Sequence, residues 1–452
     1  MNTSQTSTPP VGLARAMKTK EYFTLAFGTM VGVGWLMVMD DWLRRGGPLG
    51  AMLGFAIGGA ALLPIGYVYG KLVMLIPDAG SEIAYTERVF PSGISFFTGW
   101  IMMLAYLIVC PWEAVAIGKI LAYIFPGLNS YPLYSIAGKA VFLPQLAIGL
   151  GLVAFITWMN YRGIRLSSTF QTWMTFTMLA LFALFGSFGV GHGSIHNWLP
   201  LFSHSRFVSV ILIIQVVPYF MTGFESVPKC AEEADASFRS RGFFNAILLA
   251  LAVGVLFYVS VIGIVAYIYP WQPLTTQSFA TAFAFEHAFR ARWIVNLILA
   301  AALISLIKIL NGNFIAASRL LFSLGRRALV NPALGKIHQV NHTPSVSVWW
   351  IGIVSAAATL LGEAILIPIT EVGSLASAIG WMAACAAFYQ LSSKRRLRAI
   401  AIAGIGVTVL LVLIKIIPQI PGHFDLAEYI ALGVWLMLGF VLHQSGRRGN
   451  SG

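Results

Sequence analysis

Residues 28–34 read Gly28-Thr29-Met30-Val31-Gly32-Val33-Gly34, which places three glycines within seven residues. The stretch lies near the middle of an apolar run at about 21–43 that is long enough to cross a membrane. Glycine adds backbone freedom inside a helix. A helix that breaks in hydrocarbon is tolerated only where its freed backbone groups line a cavity or bind something. The stretch therefore predicts a discontinuous membrane helix beside a binding site.

A second interruption lies at a matching depth of a later apolar run. In the run at about 207–228, residues 218–223 read Pro218-Tyr219-Phe220-Met221-Thr222-Gly223. Proline removes a backbone donor and clashes with the preceding helical turn. The two interruptions lie five apolar runs apart, so their helices cross in opposite directions. This pattern predicts a 5+5 inverted repeat with discontinuous helices 1 and 6 and a substrate between the breaks. Packing alone is the alternative, because glycine and proline are common in membrane helices.

The composition requires a membrane. Of the 452 residues, 58% are hydrophobic and 10% are charged, whereas a soluble protein carries about 25% charged residues. The apolar runs are continuous rather than alternating with period two, which excludes a porin-type barrel. The sequence therefore predicts an all-α integral membrane protein with twelve transmembrane helices. These helices are expected at approximately 21–43, 48–75, 94–125, 141–160, 167–190, 207–228, 242–269, 292–325, 345–362, 367–391, 398–417 and 426–443.

The loops are too short for a separate soluble domain, so the spans are expected to form one membrane unit. We expect residues 1–17 to be a flexible cytoplasmic tail and residues 18–391 to be a ten-helix transport core. The two repeats of this core cover about 21–190 and about 207–391. Residues 392–452 are expected to hold helices 11 and 12 and a cytoplasmic C-terminal tail.

The basic residues indicate the orientation. With a cytoplasmic N-terminus, 20 of the 29 Lys and Arg residues fall on the inner side and 7 on the outer side. This bias places both termini of a multi-pass cell-membrane protein in the cytoplasm. The net charge of +13 is then a signal of topology, and no nucleic acid partner is expected. Cys110, Cys230 and Cys385 lie far apart without metal-ligand spacing, so no disulfide, metal, cofactor or catalytic residue is expected.

Several short motifs follow one another in a characteristic order. Gly28, Gly32 and Gly34 form G-x-x-x-G-x-G, and Gly223-Phe224-Glu225 precedes Ala231-Glu232-Glu233. Further matching residues are Gly47-Pro48, Pro77, Ala79, Gly80, Tyr85, Gly99-Trp100, Asn160, Gly163, Asn311, Arg319, Leu320, Leu321, Phe322, Leu324 and Thr343-Pro344. On these residues the sequence resembles the amino acid-polyamine-organocation (APC) superfamily of permeases over most of its length. The departures at Trp35-Leu36 and Asp235-Ala236-Ser237 indicate a subfamily with its own substrate preference.

The resemblance implies where a substrate would bind. Amides at the start of a half-helix favour an anion, which suits a substrate carboxylate at the break in helix 1. Carbonyls at the break in helix 6 would accept hydrogen bonds from a substrate ammonium. Trp35, Tyr219 and Phe224 are candidate gating residues, with ordinary packing as the alternative. The candidate substrate-binding residues are Gly28, Thr29, Met30, Gly32, Val33, Gly34, Glu113, Phe220, Met221, Thr222 and Gly223.

Lys308 lies inside the predicted eighth span and is the candidate coupling residue. It precedes Arg319 by 11 residues, about 16 Å along a helix, which is too far for its side chain to reach the inner surface. In sodium-coupled relatives of the resembled fold, a cation lies between helices 1 and 8 near this position. We expect the Lys308 ammonium to replace that cation, to bridge carbonyls of helix 1 and to be a candidate proton carrier. A static ion pair is the alternative.

Glu113 is an acidic residue in the middle of the third predicted span. Burying a charge in a membrane costs at least about 2.5–3.5 kcal/mol, so such residues are functional candidates. We expect Glu113 to receive a substrate ammonium or a proton, or else to pair with Lys119 or a backbone donor. Asp40 and Asp41 would attract cationic substrates or balance the arginines that follow them.

These patterns predict a secondary active transporter, or permease, that moves amino acids across the cytoplasmic membrane by alternating access. Proton coupling or exchange is expected rather than sodium coupling, because Lys308 would repel a cation. An amine or polyamine permease is the alternative within the class. A channel, or a nutrient receptor derived from a transporter, is the alternative from another class. The expected partners are a small-molecule substrate (amino acid or amine), protons and the lipid bilayer; an enzyme is not expected, and the oligomeric state is left open.

Overall fold

A computed structural model describes residues 12–277, 279–290, 292–420 and 423–448. The helices of the first half are α1 (Thr19–Met30), α2 (Gly34–Met37), α3 (Met39–Ala61), α4 (Leu63–Leu75), α5 (Glu82–Glu87), α6 (Ser92–Leu107), α7 (Val109–Ile124), α8 (Leu143–Arg162) and α9 (Ile164–Val190). Those of the second half are α10 (Arg206–Ile214), α11 (Val217–Met221), α12 (Arg241–Ile268), α13 (Trp271–Leu274), α14 (Ala280–Phe289), α15 (Arg292–Arg326), α16 (Ser345–Thr359), α17 (Gly362–Leu391), α18 (Arg395–Ile416) and α19 (Leu426–Arg448). Short 3-10 helices lie at Pro126–Leu128, Ile195–Trp198, Phe224–Glu233 and Pro332–Gly335.

One antiparallel hairpin departs from the all-α prediction within the described residues. It consists of β1 (Pro132–Ile136) and β2 (Lys139–Phe142), which lie between α7 and α8. The residues at its turn, Ala137 and Gly138, both have positive φ angles (45° and 77°). The hairpin occupies the loop between the third and fourth predicted spans, and its second strand takes the place of the first residues expected in the fourth.

Nine helical stretches in the described part of the chain are long and apolar enough to cross a membrane. A tenth is obtained if the bent pair Arg206–Ile214 and Val217–Glu233, with 47° between its halves, counts as one span. The nine are Met39–Leu75, Ser92–Ile124, Leu143–Arg162, Ile164–Val190, Arg241–Ile268, Trp293–Arg326, Glu371–Leu391, Arg395–Ile416 and Leu426–Gln444. The structure is therefore that of a helical membrane protein.

Two predicted spans have a different form from the one expected. The run at 21–43 is divided among α1, α2 and the start of α3, so none of its pieces is long enough alone. The run at 345–362 holds α16, whose 15 residues extend over about 22 Å. The turn expected between the first two spans is a kink inside α3 at Gly47, whose φ of 65° suits glycine. Twelve spans and the inverted repeat stay predictions.

Residues 12–17 belong to the tail that the sequence predicts to be flexible, and in the structure they lie against the protein. Met17 is fully buried, and its amide donates to the carbonyl of Glu233 (3.0 Å). The amide of Asp235 in turn donates to the Met17 carbonyl (2.9 Å). The start of α1 is therefore tied to the chain that follows the sixth predicted span. Residues 1–11 lie outside the described residues.

α1 and α15 lie at the centre of the helix bundle. α1 packs against α9, α12 and α15, and α15 also packs against α6, α7 and α9. A buried polar network fixes α15 in this position: Asn311 Oδ1 accepts from Asn160 Nδ2 and Ser167 Oγ (3.0 Å each), and Asn311 Nδ2 donates to Gln171 Oε1 (2.9 Å). Asn160 and Asn311 come from separate sequence motifs, and the fold brings them into direct contact. Buried amides that bond to each other specify how neighbouring helices are rotated.

Two buried ion pairs hold the segment Phe224–Glu233. Lys229 Nζ lies 2.7 Å from a carboxylate oxygen of Glu82, and the Arg319 guanidinium lies 2.8 Å from a carboxylate oxygen of Glu233. All four side chains are fully buried. Removing one partner of such a pair leaves an uncompensated charge in a medium of low dielectric constant. The pairs therefore bind this segment firmly to α5 and α15.

Five partly exposed charged residues lie at the same end of the bundle. We call them the ion-pair cluster: Asp78, Glu87, Glu232, Arg326 and Arg327. Arg326 contacts Glu232 (2.6 Å) and Asp78 (3.3 Å), and Arg327 contacts Asp78 and Glu87 (2.8 Å each). These contacts join the chain before α5, α5 itself, the segment Phe224–Glu233 and the end of α15. The cluster therefore closes this end of the bundle.

Replacing Glu233 by Met is expected to lower the free energy of unfolding by about 3–5 kcal/mol, because the Arg319 charge stays buried without its partner. The double variant Glu233→Met, Arg319→Met is expected to be more stable than either single variant. Chemical unfolding of the purified protein in detergent measures both effects. The control is Lys20→Met, which removes an exposed lysine 3.5 Å from Glu21 and should change stability by less than about 1 kcal/mol. Additive losses in the double variant would contradict the pairing.

Candidate functional site

The chain leaves the helical conformation inside the first predicted span. α1 ends at Met30, Val31 is extended (φ −94°, ψ 103°), and α2 begins at Gly34. The interruption thus falls within the glycine-rich stretch 28–34. Beyond it, α2 has four residues, and a further irregular residue, Val38 (φ −127°), leads into α3. Backbone groups near the centre of the bundle are consequently free of helical hydrogen bonds.

α15 supplies partners for the carbonyls near this break. Ser305 Oγ donates to the carbonyl of Gly32 (2.8 Å), and Asn313 Nδ2 donates to the carbonyl of Thr29 (3.3 Å). Ser305 and Asn313 are both buried. An unpaired backbone carbonyl is costly in hydrocarbon. The polar side chains of α15 therefore stand where the broken helix needs hydrogen-bond donors.

Lys308, on the same helix, binds two further carbonyls. Its ammonium donates to the carbonyls of Gly28 (3.0 Å) and Val31 (2.5 Å) and lies 5.6 Å from the centroid of the Phe27 ring. The side chain is fully buried. The bridge between Lys308 and carbonyls of helix 1 that the sequence predicts is thus present in the structure. Both of these hydrogen bonds go to backbone carbonyls rather than to a carboxylate.

The second interruption consists of two departures from the helix, where the sequence predicts one. α10 ends at Ile214, and the chain bends by 47° before the helix that begins at Val217. Pro218 lies in the first turn of α11, a position where proline favours a new helix because its missing amide would be unpaired there anyway. α11 ends at Met221, and Gly223 then adopts a φ of 133°. The proline therefore starts a short helix, and the glycine ends it.

The two breaks touch at Gly223. A β-carbon on this residue would lie 2.6 Å from the amide nitrogen of Met30 and 2.6 Å from the carbonyl carbon of Thr29. Both neighbours are backbone atoms, which cannot rotate away as a side chain can. Gly223 also needs a positive φ, which glycine adopts without steric cost. Its position therefore requires glycine for two independent reasons.

A central cavity of about 390 Å³ lies beside the two breaks. Its volume is in the range of small-molecule sites. Three of the predicted substrate-binding residues, Gly28, Met221 and Gly223, are buried beside the breaks and do not belong to its wall. The predicted site residues that do line it are Thr29, Met30, Gly32, Val33, Gly34, Glu113, Tyr219, Phe220 and Thr222.

Two of the three candidate gating residues lie away from the cavity wall. Trp35 packs against Phe257 (6.3 Å between ring centroids), and Phe224 packs against Trp381 (5.5 Å). Both side chains are almost completely buried. Tyr219 is the candidate gate that lines the cavity in this conformation. The sequence marks large side chains near a break but does not tell which of them turn toward it.

Glu113 reaches the cavity from α7. Its side chain is 3% exposed, and its Oε2 atom has no hydrogen-bond partner among the described residues. Its Oε1 atom lies 3.4 Å from where a β-carbon on Gly32 would stand, so the carboxylate faces the break in helix 1. It interacts electrostatically with Lys308. Lys119, the other pairing partner considered from the sequence, lines a different cavity.

Several cavity residues were not identified from the sequence. Gln215, at the bend between α10 and α11, lines the cavity, and both polar atoms of its buried side chain lack a partner in the part of the chain that the structure describes. A glutamine inside an apolar run is a signal that could have identified it. Ser377 on α17 accepts a hydrogen bond from Thr222 Oγ1 (3.1 Å) and lies in the wall with Ile309 and Asn313. Serine and isoleucine are common in membrane helices and carry little signal by themselves.

The central cavity extends toward the start of α3. Its wall there includes Asp40, Asp41, Arg44 and Arg45, and Asp41 pairs with both arginines (2.6 Å each). A larger cavity of about 830 Å³ beside the β1–β2 hairpin shares Asp40 and Arg44 with it. The start of α1, beside Glu233 and the ion-pair cluster, lies on the other side of the break. The cavity thus continues toward one end of the bundle, and ion pairs close the opposite end.

Membrane-length apolar helices around two broken helices and a buried cavity define a multi-pass membrane protein of the transporter class. A sequence model described as amino acid permease matches residues 17–440. The chain therefore belongs to the amino acid permease family, and the resemblance to the APC superfamily is confirmed. Members of this family are transporters rather than enzymes.

The relatives share low identity over long alignments. The chain is 22% identical over 400 residues to the amino-acid permease RocE of Bacillus subtilis, covering 84% of this chain and 81% of that protein. It is 26% identical over 378 residues to the vacuolar cationic amino acid transporter 4 of Arabidopsis thaliana, covering 81% and 62% of the two chains. It is 21% identical over 337 residues to the aromatic amino acid transport protein AroP of Escherichia coli, covering 72% and 69%. The names of these relatives differ in substrate class.

Replacing Gly223 by Ala is expected to lower amino acid uptake at least about tenfold, because the new β-carbon would push the two breaks apart. Uptake of a panel of radiolabelled amino acids into proteoliposomes measures the effect. The matched control is Gly151→Ala in α8, where a β-carbon would meet no atom within 4 Å. Equal uptake by Gly223→Ala and Gly151→Ala would contradict the close contact of the breaks.

Proposed function

We propose that the chain is a secondary active transporter that carries amino acids across the cell membrane by alternating access. The observation that carries the proposal is the contact of the two breaks at Gly223 beside a 390 Å³ cavity. A small movement of either broken helix would change the shape of this cavity. The proposed architecture has twelve spans and a 5+5 inverted repeat, with helices 1 and 6 as the discontinuous members.

The substrate is proposed to lie between the two breaks, with its carboxylate and its ammonium group bound by different parts of the site. Backbone amides at Gly32, Val33 and Gly34 would bind its carboxylate, since amides at the start of a half-helix favour anions. Carbonyls near Thr222 and the carboxylate of Glu113 would bind its ammonium. The unpartnered Oε2 atom of Glu113 supports this role, because a buried carboxylate gains most from a charged donor.

Lys308 is proposed to couple transport to protons or to exchange, without sodium. Its ammonium binds the carbonyls of Gly28 and Val31, so the protonated side chain holds a positive charge at the place where another cation would otherwise bind. Like charges at that distance repel strongly in a medium of low dielectric constant. A change in the charge of Lys308 would act directly on the backbone of helix 1.

The cavity is proposed to face the outside in this conformation. The distribution of Lys and Arg residues favours cytoplasmic termini, which puts Asp40 and Arg44 at the outer end of the cavity and the ion-pair cluster at the inner end. Tyr219 would close over the substrate from the cavity wall. Trp35 and Phe224 would act as gates only if the helices that carry them move.

An amine permease is the second candidate within the class. Glu113, Asp40, Asp41 and Glu371 put four carboxylates on the cavity wall, which suits a substrate with more than one ammonium group, although Glu371 is paired with Lys415. Asp41, however, is already paired with two arginines. A channel would conduct without saturation and a receptor would bind without flux, so saturable uptake argues against both.

Replacing Lys308 by Met is expected to lower uptake strongly and to make the remaining uptake independent of a pH gradient, because the ammonium that binds helix 1 is gone. Proteoliposomes with and without pH and sodium gradients, and with and without substrate inside, measure the effect. The control is Lys71→Met, a lysine that lies 5.5 Å from the Tyr67 ring and away from both breaks. Normal uptake with normal pH dependence in Lys308→Met would contradict the coupling role.

Replacing Glu113 by Gln is expected to lower alanine uptake about tenfold or more, since a hydrogen bond to a charged group contributes about 1.5–3 kcal/mol. Parallel uptake of radiolabelled alanine and putrescine by the wild type separates the two candidate substrate classes. Glu286→Gln, a carboxylate outside the cavity wall, is the control. Unchanged alanine uptake in Glu113→Gln would contradict the ammonium site, and faster uptake of putrescine than of alanine would favour the amine permease.

A further inference from the structure

A second group of buried polar side chains lies next to the break at Gly223 and outside the wall of the central cavity. We call it the Lys229 cluster. Glu225 belongs to it and is also joined to the break, because its Oε2 atom accepts a hydrogen bond from the amide of Gly223 (3.0 Å). All members of the cluster are fully buried. They are Ser81, Glu82, Tyr85, Tyr106, Glu225, Ser226 and Lys229.

Lys229 lies at the centre of this cluster. Its ammonium donates to Glu82 Oε1 (2.7 Å) and to the carbonyl of Glu225 (2.8 Å), and it lies 5.0 Å from the centroid of the Tyr106 ring. The Tyr69 hydroxyl donates to the same Glu82 oxygen (2.7 Å). One oxygen of Glu82 is therefore fully used, and the position of the ammonium is fixed.

Six other polar atoms of the cluster make no hydrogen bond of normal geometry among the residues that the structure describes. Tyr85 lies beside Ser81, and Tyr106 lies beside Glu225, so Glu82 Oε2 and Ser226 Oγ are the atoms most in need of a partner, because an unpaired buried polar atom is unfavourable. Buried polar groups in native proteins are paired with protein, water or an ion. The six atoms are Ser81 Oγ, Glu82 Oε2, Tyr85 OH, Tyr106 OH, Glu225 Oε1 and Ser226 Oγ.

The charges of the cluster do not balance. Two carboxylates, Glu82 and Glu225, face one ammonium, Lys229. The Arg319 guanidinium, which faces Cys230 beside the cluster, already pairs with Glu233 (2.8 Å). With both carboxylates ionised, one negative charge lacks a counter-charge in a fully buried region, where an unpaired ion is strongly unfavourable. The unpartnered atoms are all carboxylate or hydroxyl oxygens, and such hard donors suit a proton or a small hard cation.

We propose that the Lys229 cluster is a binding site for one monovalent cation, either a proton bound to a carboxylate oxygen or Na⁺. Glu82 Oε2 and Glu225 Oε1 would supply the negative charge, and the hydroxyl of Tyr106, which lies beside the Glu225 carboxylate, would supply a neutral oxygen. Lys229 stays fixed as the counter-charge of Glu82. The other titratable or charged groups around the cluster are Tyr69, Asp78, Cys230, Glu233 and Arg319.

The position of the site gives it a route to the central cavity. Glu225 accepts from the Gly223 amide, and Gly223 contacts the break in helix 1. A cation at Glu225 would therefore act on the contact between the two breaks. This consequence rests on the proposed transport function, whereas binding of the cation does not. A proton at this site would agree with the proposed sodium-independent coupling. Na⁺ at this site would mean that transport is coupled to sodium instead.

The test uses the purified full chain in detergent and measures its unfolding temperature, Tm. Sodium chloride is exchanged for choline chloride at fixed pH, and the pH is varied in choline chloride. The wild-type Tm is expected to shift in one of the two series, and Glu225→Gln is expected to lose that shift. Glu232→Gln is the matched control: it lies on the same segment, but its carboxylate is paired with Arg326 and the Ala79 amide, so the shift should remain.

Each result supports or overturns the proposal. A lost sodium shift identifies Na⁺, and a lost pH shift identifies a proton. A wild type that responds to neither, or a Glu225→Gln variant that keeps both responses, would mean that the cluster holds water only. If Glu225→Gln does not fold, Tyr106→Phe replaces it, and its Tm is expected to shift less with sodium or pH than that of the wild type. A Tyr106→Phe variant with a higher Tm and an unchanged shift would overturn the site. Parallel uptake assays separate this outcome from failure of the transport function, because binding is measured without flux.

Discussion

The carbonyls freed by the break in helix 1 must find hydrogen-bond donors inside the protein, since hydrocarbon offers none. α15 provides them with Ser305, Lys308 and Asn313, which recur along one side of the helix. This requirement fixes α15 against the break. Another side of the break is in contact with Gly223, and Gly32 faces the central cavity. The cavity thus exists because a broken helix is held open by side chains of its neighbours.

The parts of the site that could be predicted from the sequence are those that conflict with their surroundings. Glycines at 28, 32 and 34 are unfavourable inside a continuous helix, and the charge of Lys308 is unfavourable in hydrocarbon. Each of them therefore needs a compensating partner. The buried charge indicates that Lys308 needs a partner, and the resemblance implied that this partner is the carbonyls of helix 1, to which the structure has Lys308 bonded. The matching positions of the two breaks already predicted that they share one site.

The parts that could not be predicted depend on orientation rather than on composition. Trp35, Phe224 and Tyr219 have similar size and similar distance from a break, yet one of the three lines the cavity. Pro218 marks the bend near Gln215, because its ring and missing amide disturb the helix at Ile214, four residues earlier. The sequence does not tell, however, that the proline then starts a new helix where a break was expected. Packing between helices that lie far apart in sequence decides these features, and a single sequence contains no direct record of that packing.

Lys308 and Lys229 are both fully buried, but their surroundings fit them for different tasks. Lys229 pairs with the carboxylate of Glu82, so removing its proton would leave a buried anion without a counter-charge, at a cost of several kcal/mol. Lys308 binds the carbonyls of Gly28 and Val31, which accept a hydrogen bond from a neutral amine as well. A change of charge at Lys308 therefore breaks no hydrogen bond to a carboxylate, although it removes the positive charge that interacts with the Glu113 carboxylate. It acts directly on the backbone next to the cavity wall. Lys229, by contrast, keeps its positive charge because it neutralises the buried carboxylate of Glu82.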